Sequence, residues 1–311
     1  MSDRNRWRDA FRAMGTTIEV DIVSSQPTEI VDGTFQKIRE IFFRLEWIFS
    51  RFLKESELSK LNASLGKECL VSREMLEVLI LAIRFSKETD GMFDPRILPQ
   101  LLHSGYVGDF YKQPPSVTIG NSADVRIFDQ RFSEEILLDK QAGTVRLQYP
   151  IDLGGIVKGY AVQVAVDLLR SRGFADFVVD AGGDMFAAGH DEDDDPWFVA
   201  IEGIDEQDAR WHLSNKAVAT SGITRRSWNI GKQSLHHLVH PRDPNRYDFS
   251  LQSVSVVSGS IVEADVFAKT YFLLGIPEGL RRAITLNHAV LFRDRNNHIT
   301  QSDACAEFLD Q

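Results

Sequence analysis

The chain has 311 residues, of which 43% are hydrophobic and 26% are charged, so its composition is typical of a globular protein with a sizeable core. Its formal net charge of −10 argues against a nucleic-acid partner, because neutralising a phosphate backbone requires clustered lysines and arginines. The two cysteines, Cys69 and Cys305, lie far apart in the sequence. Two cysteines in so long a chain are typical neither of a disulfide scaffold nor of a zinc site.

The N-terminal segment MSDRNRWRDAFRAMGTT is charged and contains neither the apolar core of a signal peptide nor a cysteine for lipid attachment. The sequence has no run of about 18 uncharged apolar residues, so it predicts no membrane span. We therefore expect a cytoplasmic protein, unless an export segment has been removed from this sequence.

The hydrophobic pattern predicts helices and strands that are interspersed along the chain. Predicted helices cover residues 29–50, 73–90, 156–171, 263–274 and 277–286. Predicted strands cover residues 15–24, 136–150, 176–180, 184–189, 196–202, 216–221, 235–239, 251–257 and 288–293. Turns and loops are expected over 50–64 and 91–135. This mixture, with several hairpin-like spacings, predicts an α+β fold rather than a simple doubly wound sheet.

The segment IDLGGIVKGY (151–160) combines a carboxylate, two glycines and a lysine. A strand is expected to end before Gly154 and Gly155, which allow a turn that a side chain would block, and a helix follows. Backbone N–H groups at a helix N-terminus attract anions, and Lys158 adds a positive charge. The alternatives are a phosphate-binding turn and a purely structural one. The spacing of a P-loop is absent.

Two further segments offer polar groups close to flexible backbone. The segment DAGGD (180–184) has a second glycine pair flanked by acids, which is typical of a site where backbone approaches a ligand. The segment AVATSGITRRSW (217–228) offers hydroxyls at Thr220 and Ser221 and arginines at 225 and 226. Taken alone, the second segment is equally typical of an ordinary loop.

The segment LHHLVHP (235–241) has three histidines. On a strand, His236 and His240 would face one way and His237 the other. Without a nearby cysteine or carboxylate this spacing is a weak zinc signal, and a general base of near-neutral pKa fits it better. In the segment VEADVFAKTYFLLG (262–275), Asp265 and Lys269 are spaced as an ordinary helical ion pair in its favourable orientation.

Taken together, these segments resemble the ApbE-type flavin transferases, also called FAD:protein FMN transferases, over nearly the whole chain. The resemblance depends on eight stretches that occur in the family's order. They are AMGTTIEV (13–20), FSRFLKESELSKLN (49–62), GMFDPRILPQL (91–101), DLGGIVKGYAV (152–162), VVDAGGDMFAAG (178–189), AVATSG (217–222), HLVHP (237–241) and ADVFAKTYFLLG (264–275).

The resemblance implies one domain over 1–311, with two closely packed α+β lobes that meet near 135–150 and bind FAD in the cleft between them. It implies a Mg²⁺-dependent reaction in which FMN passes from FAD to a Thr or Ser hydroxyl of an acceptor flavoprotein, with release of AMP. The alternatives are a protein that binds FAD without transferring it, and an FAD pyrophosphatase that uses water as the acceptor.

The resemblance also implies roles for individual residues. His237 takes the position of the general base, Asp265 that of the metal carboxylate, and the backbone carbonyl of Val157 that of a further metal ligand. The residues expected to line the flavin nucleotide are Met14, Glu57, Asp94, Gly154, Gly155, Lys158, Asp180, Thr220 and Ser221.

One departure from the family concerns the metal site. Family members usually place a Thr ligand four residues after the metal carboxylate, and here that position is Lys269. An ammonium and a Mg²⁺ ion cannot share this space without strong repulsion. Lys269 could swing outward and leave Asp265 to the metal, or pair with Asp265 and substitute for it. The local preference for acid-first pairing favours the second alternative and a weakened metal site.

Overall fold

The computed structural model of this protein describes residues 4–108, 127–128, 131–201, 210–224, 226–230, 233–243, 245–247 and 249–308. Arg225, one of the two arginines noted in the sequence, lies outside the described residues. The α-helices of the described part are α1 (Thr28–Phe49), α2 (Glu57–Asn62), α3 (Arg73–Glu88), α4 (Leu98–His103), α5 (Phe132–Glu135), α6 (Val157–Ser171), α7 (Ile261–Leu274) and α8 (Ile276–Leu286).

The strands build one large sheet and three small ones. They are β1 (Asn5–Ala13), β2 (Thr16–Ser24), β3 (Cys69–Leu70), β4 (Leu137–Asp139), β5 (Thr144–Arg146), β6 (Asp176–Ala181), β7 (Met185–Ala188), β8 (Trp197–Ala200), β9 (Arg210–Leu213), β10 (Lys216–Gly222), β11 (Ser227–Ile230), β12 (Gln233–His236), β13 (Leu251–Ser258), β14 (Ala289–Asp294) and β15 (Ile299–Gln301).

The large sheet has eight strands in the order β1-β2-β6-β7-β10-β13-β14-β15, and all of its neighbouring pairs are antiparallel. The small sheets are β3-β5-β4, β8-β9 and β11-β12. An antiparallel sheet combined with helices confirms the predicted α+β fold. None of the helices in the described part of the chain is long and apolar enough to cross a membrane.

Serine caps mark the beginnings of three helices. The side chains of Ser56, Ser72 and Ser260 each accept a hydrogen bond from the backbone N–H three residues further on, at the starts of α2, α3 and α7. The helix α7 ends at Gly275, whose φ of +77° lies in the region that favours glycine. These local signals mark the starts of α2, α3 and α7 and the end of α7.

The helix α7 belongs to the centre of the core. It is apolar on almost every side, and residues such as Val266, Phe267 and Tyr271 are buried. A helix of this composition must be covered all round, and α7 contacts β10 and β13 of the large sheet as well as α6. The contact with α6 depends on Gly159, because a Cβ there would lie only 3.0 Å from the backbone of α7 at Ile261 and Val262.

The first two strands form a tight hairpin. Ala13 pairs with Thr16, so the loop between them consists of Met14 and Gly15 alone. Both loop residues have positive φ, +53° and +71°, which is the geometry of a type I′ turn and matches the twist of the strands. The hairpin therefore holds Met14 at a fixed place on the edge of the sheet.

The predicted helices are all present, with ends that differ by at most two residues. Strand β1 and the short helix α2 were not predicted, since charged and polar residues obscure their patterns. Also unpredicted are α4 and α5, which lie where only turns and loops were expected, and the short strands β3, β9, β11 and β15. The strand predicted over 235–239 was wrong in its extent, because β12 ends at His236. The single domain over 1–311 and the lobe boundary near 135–150 stay predictions.

Candidate active site

A single large cleft collects most of the residues singled out in the sequence. Its volume of about 1330 Å³ exceeds the roughly 300–1,000 Å³ of a pocket for a drug-sized ligand, so a dinucleotide is an appropriate size of occupant. The cleft is lined by Met14, Asp94, Gly154, Gly155, Val157, Lys158, Asp180, Thr220, Ser221, His237 and Lys269. Glu57 and Asp265 are not among the lining residues.

The glycine turn before α6 forms one wall of the cleft. The N–H of Gly154 donates to Oδ1 of Asp152 at 2.7 Å, and Oδ2 of Asp152 pairs with Nε of the buried Arg51 at 2.7 Å. A Cβ on Gly155 would lie 3.5 Å from Cδ of Lys269. The turn is therefore anchored on one side by an ion pair and packed on the other against the stem of a lysine.

Lys158, in the first turn of α6, forms an ion pair with Asp184. Burial lowers the pKa of Lys158 to about 8; the nearby charges of Lys269 and Arg226 also lower it, whereas that of Asp265 opposes the shift. Asp184 itself is almost fully buried. Sequence reasoning assigned no role to Asp184, although it is the second acid of the DAGGD segment.

The two acids of the DAGGD segment organise backbone. Oδ1 of Asp180 accepts the N–H of Gly183 at 2.6 Å, in a turn where Gly182 and Gly183 both have positive φ. Oδ1 of Asp184 accepts the N–H of Thr220 at 3.3 Å. The first bond fixes the turn between β6 and β7, and the second ties Asp184, just before β7, to β10; Asp180 and Thr220 both line the cleft.

Two predicted flavin-binding acids have other partners. The carboxylate of Asp94 pairs with the buried guanidinium of Arg96 at 2.6 Å, so Asp94 lines the cleft with its charge already neutralised. Glu57 accepts the backbone N–H of Ser72 at 2.7 Å, immediately before α3. The structure thus does not bring Glu57 to the cleft, and its carboxylate serves the start of a helix.

His237 presents its imidazole to the cleft, with Nδ1 3.4 Å from the backbone oxygen of Arg226. Burial, followed by the positive charge of Arg226, holds the pKa of His237 well below its usual value. The imidazole is therefore neutral at neutral pH, which is the form that accepts a proton. His236, by contrast, is buried between the rings of Tyr247 and Phe249 and does not line the cleft.

Asp265 and Lys269 form the ion pair expected for an acid that precedes a base by four residues on a helix. The ammonium of Lys269 contacts Oδ1 of Asp265 and lies 3.2 Å from the backbone oxygen of the same residue. The N–H of Gly159 donates to Oδ2 of Asp265 at 3.2 Å. Asp265 is fully buried, so both of its carboxylate oxygens have their partners within the protein.

The residues at this point do not fit the Mg²⁺ site that the resemblance implies. Mg²⁺ in proteins is usually held by one or two carboxylates in near-ideal octahedral geometry. Here the carboxylate of Asp265 is engaged by an ammonium and an N–H, and Val157 can contribute only a backbone oxygen. Among the described residues, no group of three or more His, Cys, Asp or Glu side chains could hold a metal ion.

Arg226 is a further cation that lines the cleft, besides Lys158, Lys269, Arg12, Arg51 and Arg293. Its Nη2 lies 3.5 Å from the backbone oxygen of Gly15, and within the described part of the chain no carboxylate forms an ion pair with it. Its charge acts on both Lys158 and His237, since it lowers the pKa of each. Sequence reasoning noted this charge but assigned it no role.

The cleft of this α+β fold combines glycine turns, a neutral imidazole and six cationic side chains against five acidic ones, and such a cleft is suited to a large anionic ligand. The family model of the ApbE family matches residues 14–292, and the chain belongs to this family. The resemblance stated from the sequence is thereby confirmed.

Relatives and solved structures agree with this assignment. The chain is 27% identical to the FAD:protein FMN transferase of Haemophilus influenzae, over 96% of this chain and 90% of that protein. It is also 27% identical to the protein of the same name from Vibrio cholerae, over 86% of this chain and 81% of that one.

The fold is similar to that of the ApbE protein from Thermotoga maritima, with a TM-score of 0.86, 22% identity, and 99% and 100% of the two chains covered. It is likewise similar to the apo form of the flavinyl transferase ApbE from Pseudomonas stutzeri, with a TM-score of 0.82, 23% identity, and 99% and 98% covered.

Proposed function

We propose that this protein transfers the FMN moiety of FAD to a Thr or Ser hydroxyl of an acceptor flavoprotein and releases AMP. One arrangement carries the proposal: the neutral imidazole of His237 lines the same cleft as the cations of Lys158 and Arg226. Membership of the ApbE family supports it, as does similarity to proteins named FAD:protein FMN transferase.

In the proposed step, the acceptor oxygen attacks the phosphorus of the FMN half of FAD. A new P–O bond forms to the acceptor, and the bond from the same phosphorus to the bridging oxygen breaks, so that this oxygen leaves with AMP. The hydroxyl proton passes to the imidazole of His237, which is unprotonated at neutral pH because its pKa is lowered. Displacement at phosphorus requires mainly positioning, charge stabilisation and a base.

The remaining groups of the cleft position the pyrophosphate. Most backbone N–H groups at the start of α6 already have acceptors within the protein, since those of Ile156 and Val157 donate to Leu153 and that of Gly159 donates to Asp265, so cationic side chains supply most of the attraction for phosphate. Lys158 is mostly protonated at neutral pH, because its pKa of about 8 lies above that value. Arg226 can turn its guanidinium to phosphate oxygens without losing an acidic partner among the described residues. No step of this proposal is assigned to Mg²⁺.

Intact-mass measurement tests the proposal most directly. The protein is incubated with FAD and candidate acceptor flavoproteins, and the mass of each acceptor is recorded together with the release of AMP. An increase equal to one FMN, accompanied by AMP, supports the transferase. Release of AMP and free FMN without an increase in mass identifies a pyrophosphatase. Bound FAD with neither product identifies a binding protein.

A further inference from the structure

The ammonium of Lys269 occupies the space beside Asp265 that a divalent cation would need. Oδ1 of Asp265 is in contact with that ammonium, and Oδ2 accepts the N–H of Gly159. A metal ion that approached Asp265 would therefore have to displace one cation and one hydrogen-bond donor. The repulsion between the ion and the ammonium at such short range is strong, since little water screens them.

The surroundings of Lys269 hold it in this position. Its Cδ and Cε lie 3.5 Å and 3.6 Å from the place of a Cβ on Gly155, so the stem packs against the glycine turn. The side chain is 18% exposed, whereas that of Asp265 is 0% exposed. If Lys269 swung outward, it would leave a buried carboxylate with only one N–H partner, which is strongly unfavourable.

The cleft that Lys269 lines carries further positive charge that is available to a ligand. His237, Lys158, Lys269 and Arg226 all line the cleft, and the charges of Lys269 and Arg226 act on both His237 and Lys158. Lys269 neutralises Asp265 and thereby removes a negative charge that would repel a pyrophosphate. Arg226 has no described acidic partner and is available to a phosphate oxygen.

We propose that Lys269 is a built-in substitute for a divalent cation at Asp265, so that this protein binds FAD and transfers FMN without one. The part about transfer rests on the proposed function, whereas the part about FAD binding stands on its own. In this chain a side chain that is covalently part of the site takes the place of a metal ion.

The wild-type protein provides the first test. The dissociation constant of FAD is measured by flavin fluorescence in EDTA and in Mg²⁺, and Mg²⁺ binding to the ligand-free protein is followed by calorimetry. We expect the same FAD affinity in both solutions and no heat of Mg²⁺ binding. An FAD affinity that falls in EDTA, or saturable Mg²⁺ binding that Asp265→Asn abolishes, would overturn the proposal.

Three variants sharpen the test. Lys269→Thr removes the ammonium and supplies an oxygen, and should make FAD bind at least about fivefold more tightly in Mg²⁺ than in EDTA, the lower end of typical coupling between ligands. Lys269→Arg keeps a cation and should stay insensitive to Mg²⁺. Lys87→Thr makes the same exchange on the exposed surface of α3 and serves as the matched control. A folded Lys269→Thr variant without Mg²⁺ dependence contradicts the proposal.

The two proposals fail in different ways. If FMN reaches the acceptor only when Mg²⁺ is present, the transferase stands and the role of Lys269 is wrong. If FAD binds equally well in EDTA and in Mg²⁺ but no acceptor gains mass, the role of Lys269 in binding stands and the transferase is wrong.

Discussion

His236 and His237 are consecutive residues, yet their imidazoles lie in different environments. That of His236 packs among aromatic rings, with its centroid 5.3 Å from Phe249 and 5.5 Å from Tyr247. That of His237 lines the cleft, beside the backbone oxygen of Arg226. Because the two histidines are adjacent in sequence but only His237 lines the cleft, a substitution of His236 serves as a control for a substitution of His237.

Removal of the proposed base should affect chemistry and not binding. We expect His237→Ala to keep nearly the wild-type affinity for FAD and to lose about 10²–10⁴-fold in the rate of FMN transfer, the usual contribution of a positioned proton acceptor. His236→Phe, which preserves the ring packing, should transfer at close to the wild-type rate. Affinity comes from flavin fluorescence and the rate from the mass of the acceptor. Equal losses of rate in the two variants would contradict the assignment.

His236 should make stability depend on pH. Burial lowers the pKa of His236 to about 4, from its usual value of 6.5. Because the folded state binds this proton more weakly than the unfolded state, the contribution is fully present above pH 6.5 and is lost as the pH falls towards 4. The loss amounts to up to about 3 kcal/mol in the free energy of unfolding.

Urea denaturation at several pH values measures this effect. The wild type should lose more free energy of unfolding than His236→Phe as the pH falls from neutral to about 4, because the variant lacks the titrating group. All other acidic and basic groups are shared by the two proteins, so the difference isolates His236. Parallel pH profiles for the two proteins would show that its neutral form is not preferred in the fold.

The glycine turn before α6 should tolerate no branched side chain. A Cβ on Gly155 would lie 3.3 Å from the ring of Phe93, which is closer than ordinary contact, and a valine would add two methyl groups there. We expect Gly155→Val to weaken FAD binding. Gly33→Val, where a Cβ meets nothing within 4 Å, should leave FAD affinity unchanged. The prediction fails if Gly155→Val is folded and binds FAD as the wild type does.

The cations of the cleft should distinguish ligands with phosphates from ligands without them. If Arg226 bonds a phosphate oxygen, Arg226→Gln loses a charged hydrogen bond of about 1.5–3 kcal/mol, which is roughly 10- to 100-fold in FAD affinity. Riboflavin, which has no phosphate, should bind the variant and the wild type equally well. Fluorescence titration with both flavins checks this. A similar loss for riboflavin would mean that Arg226 supports the isoalloxazine or the fold.

Lys158 should also contribute to the affinity for FAD and not to that for riboflavin, but its ion pair with Asp184 complicates the test. Lys158→Ala removes the partner of the buried Asp184, so part of its effect is structural. Lys158→Ala combined with Asp184→Asn removes both charges of the pair. The remaining loss of FAD affinity is then due to the missing contact between Lys158 and phosphate. We expect the double variant to bind FAD more weakly than the wild type while its affinity for riboflavin stays the same. Equal weakening for both flavins would indicate a purely structural lysine.

Much of the cleft could be predicted from local sequence. The turn at Gly154 and Gly155 and the start of α6 follow from the order of strand, glycines and helix. The spacing of Asp265 and Lys269 gave the ion pair, because helical geometry alone brings positions i and i+4 together. Local rules of this kind hold irrespective of what the rest of the chain does.

Other features depend on contacts between distant segments and could not be predicted. Asp184 pairs with Lys158 only because β6, β7 and α6 meet in three dimensions. Glu57 matched a family motif, but its carboxylate faces the backbone of Ser72, a partner 15 positions away. The role of Arg226 depends on its distance from His237 and from the hairpin turn at Gly15. No periodicity in the sequence encodes these distances.

The close approach of two helices at Gly159 has a consequence for how a ligand is received. It ties the N-terminus of α6, with Lys158, to the segment of α7 that carries Asp265 and Lys269, and the N–H of Gly159 bonds that carboxylate directly. The side chains of Lys158, Asp265 and Lys269 are therefore already ordered in the folded protein, before any ligand binds. When a pyrophosphate binds to these preorganised side chains, little conformational entropy is lost, so more of the interaction energy contributes to affinity.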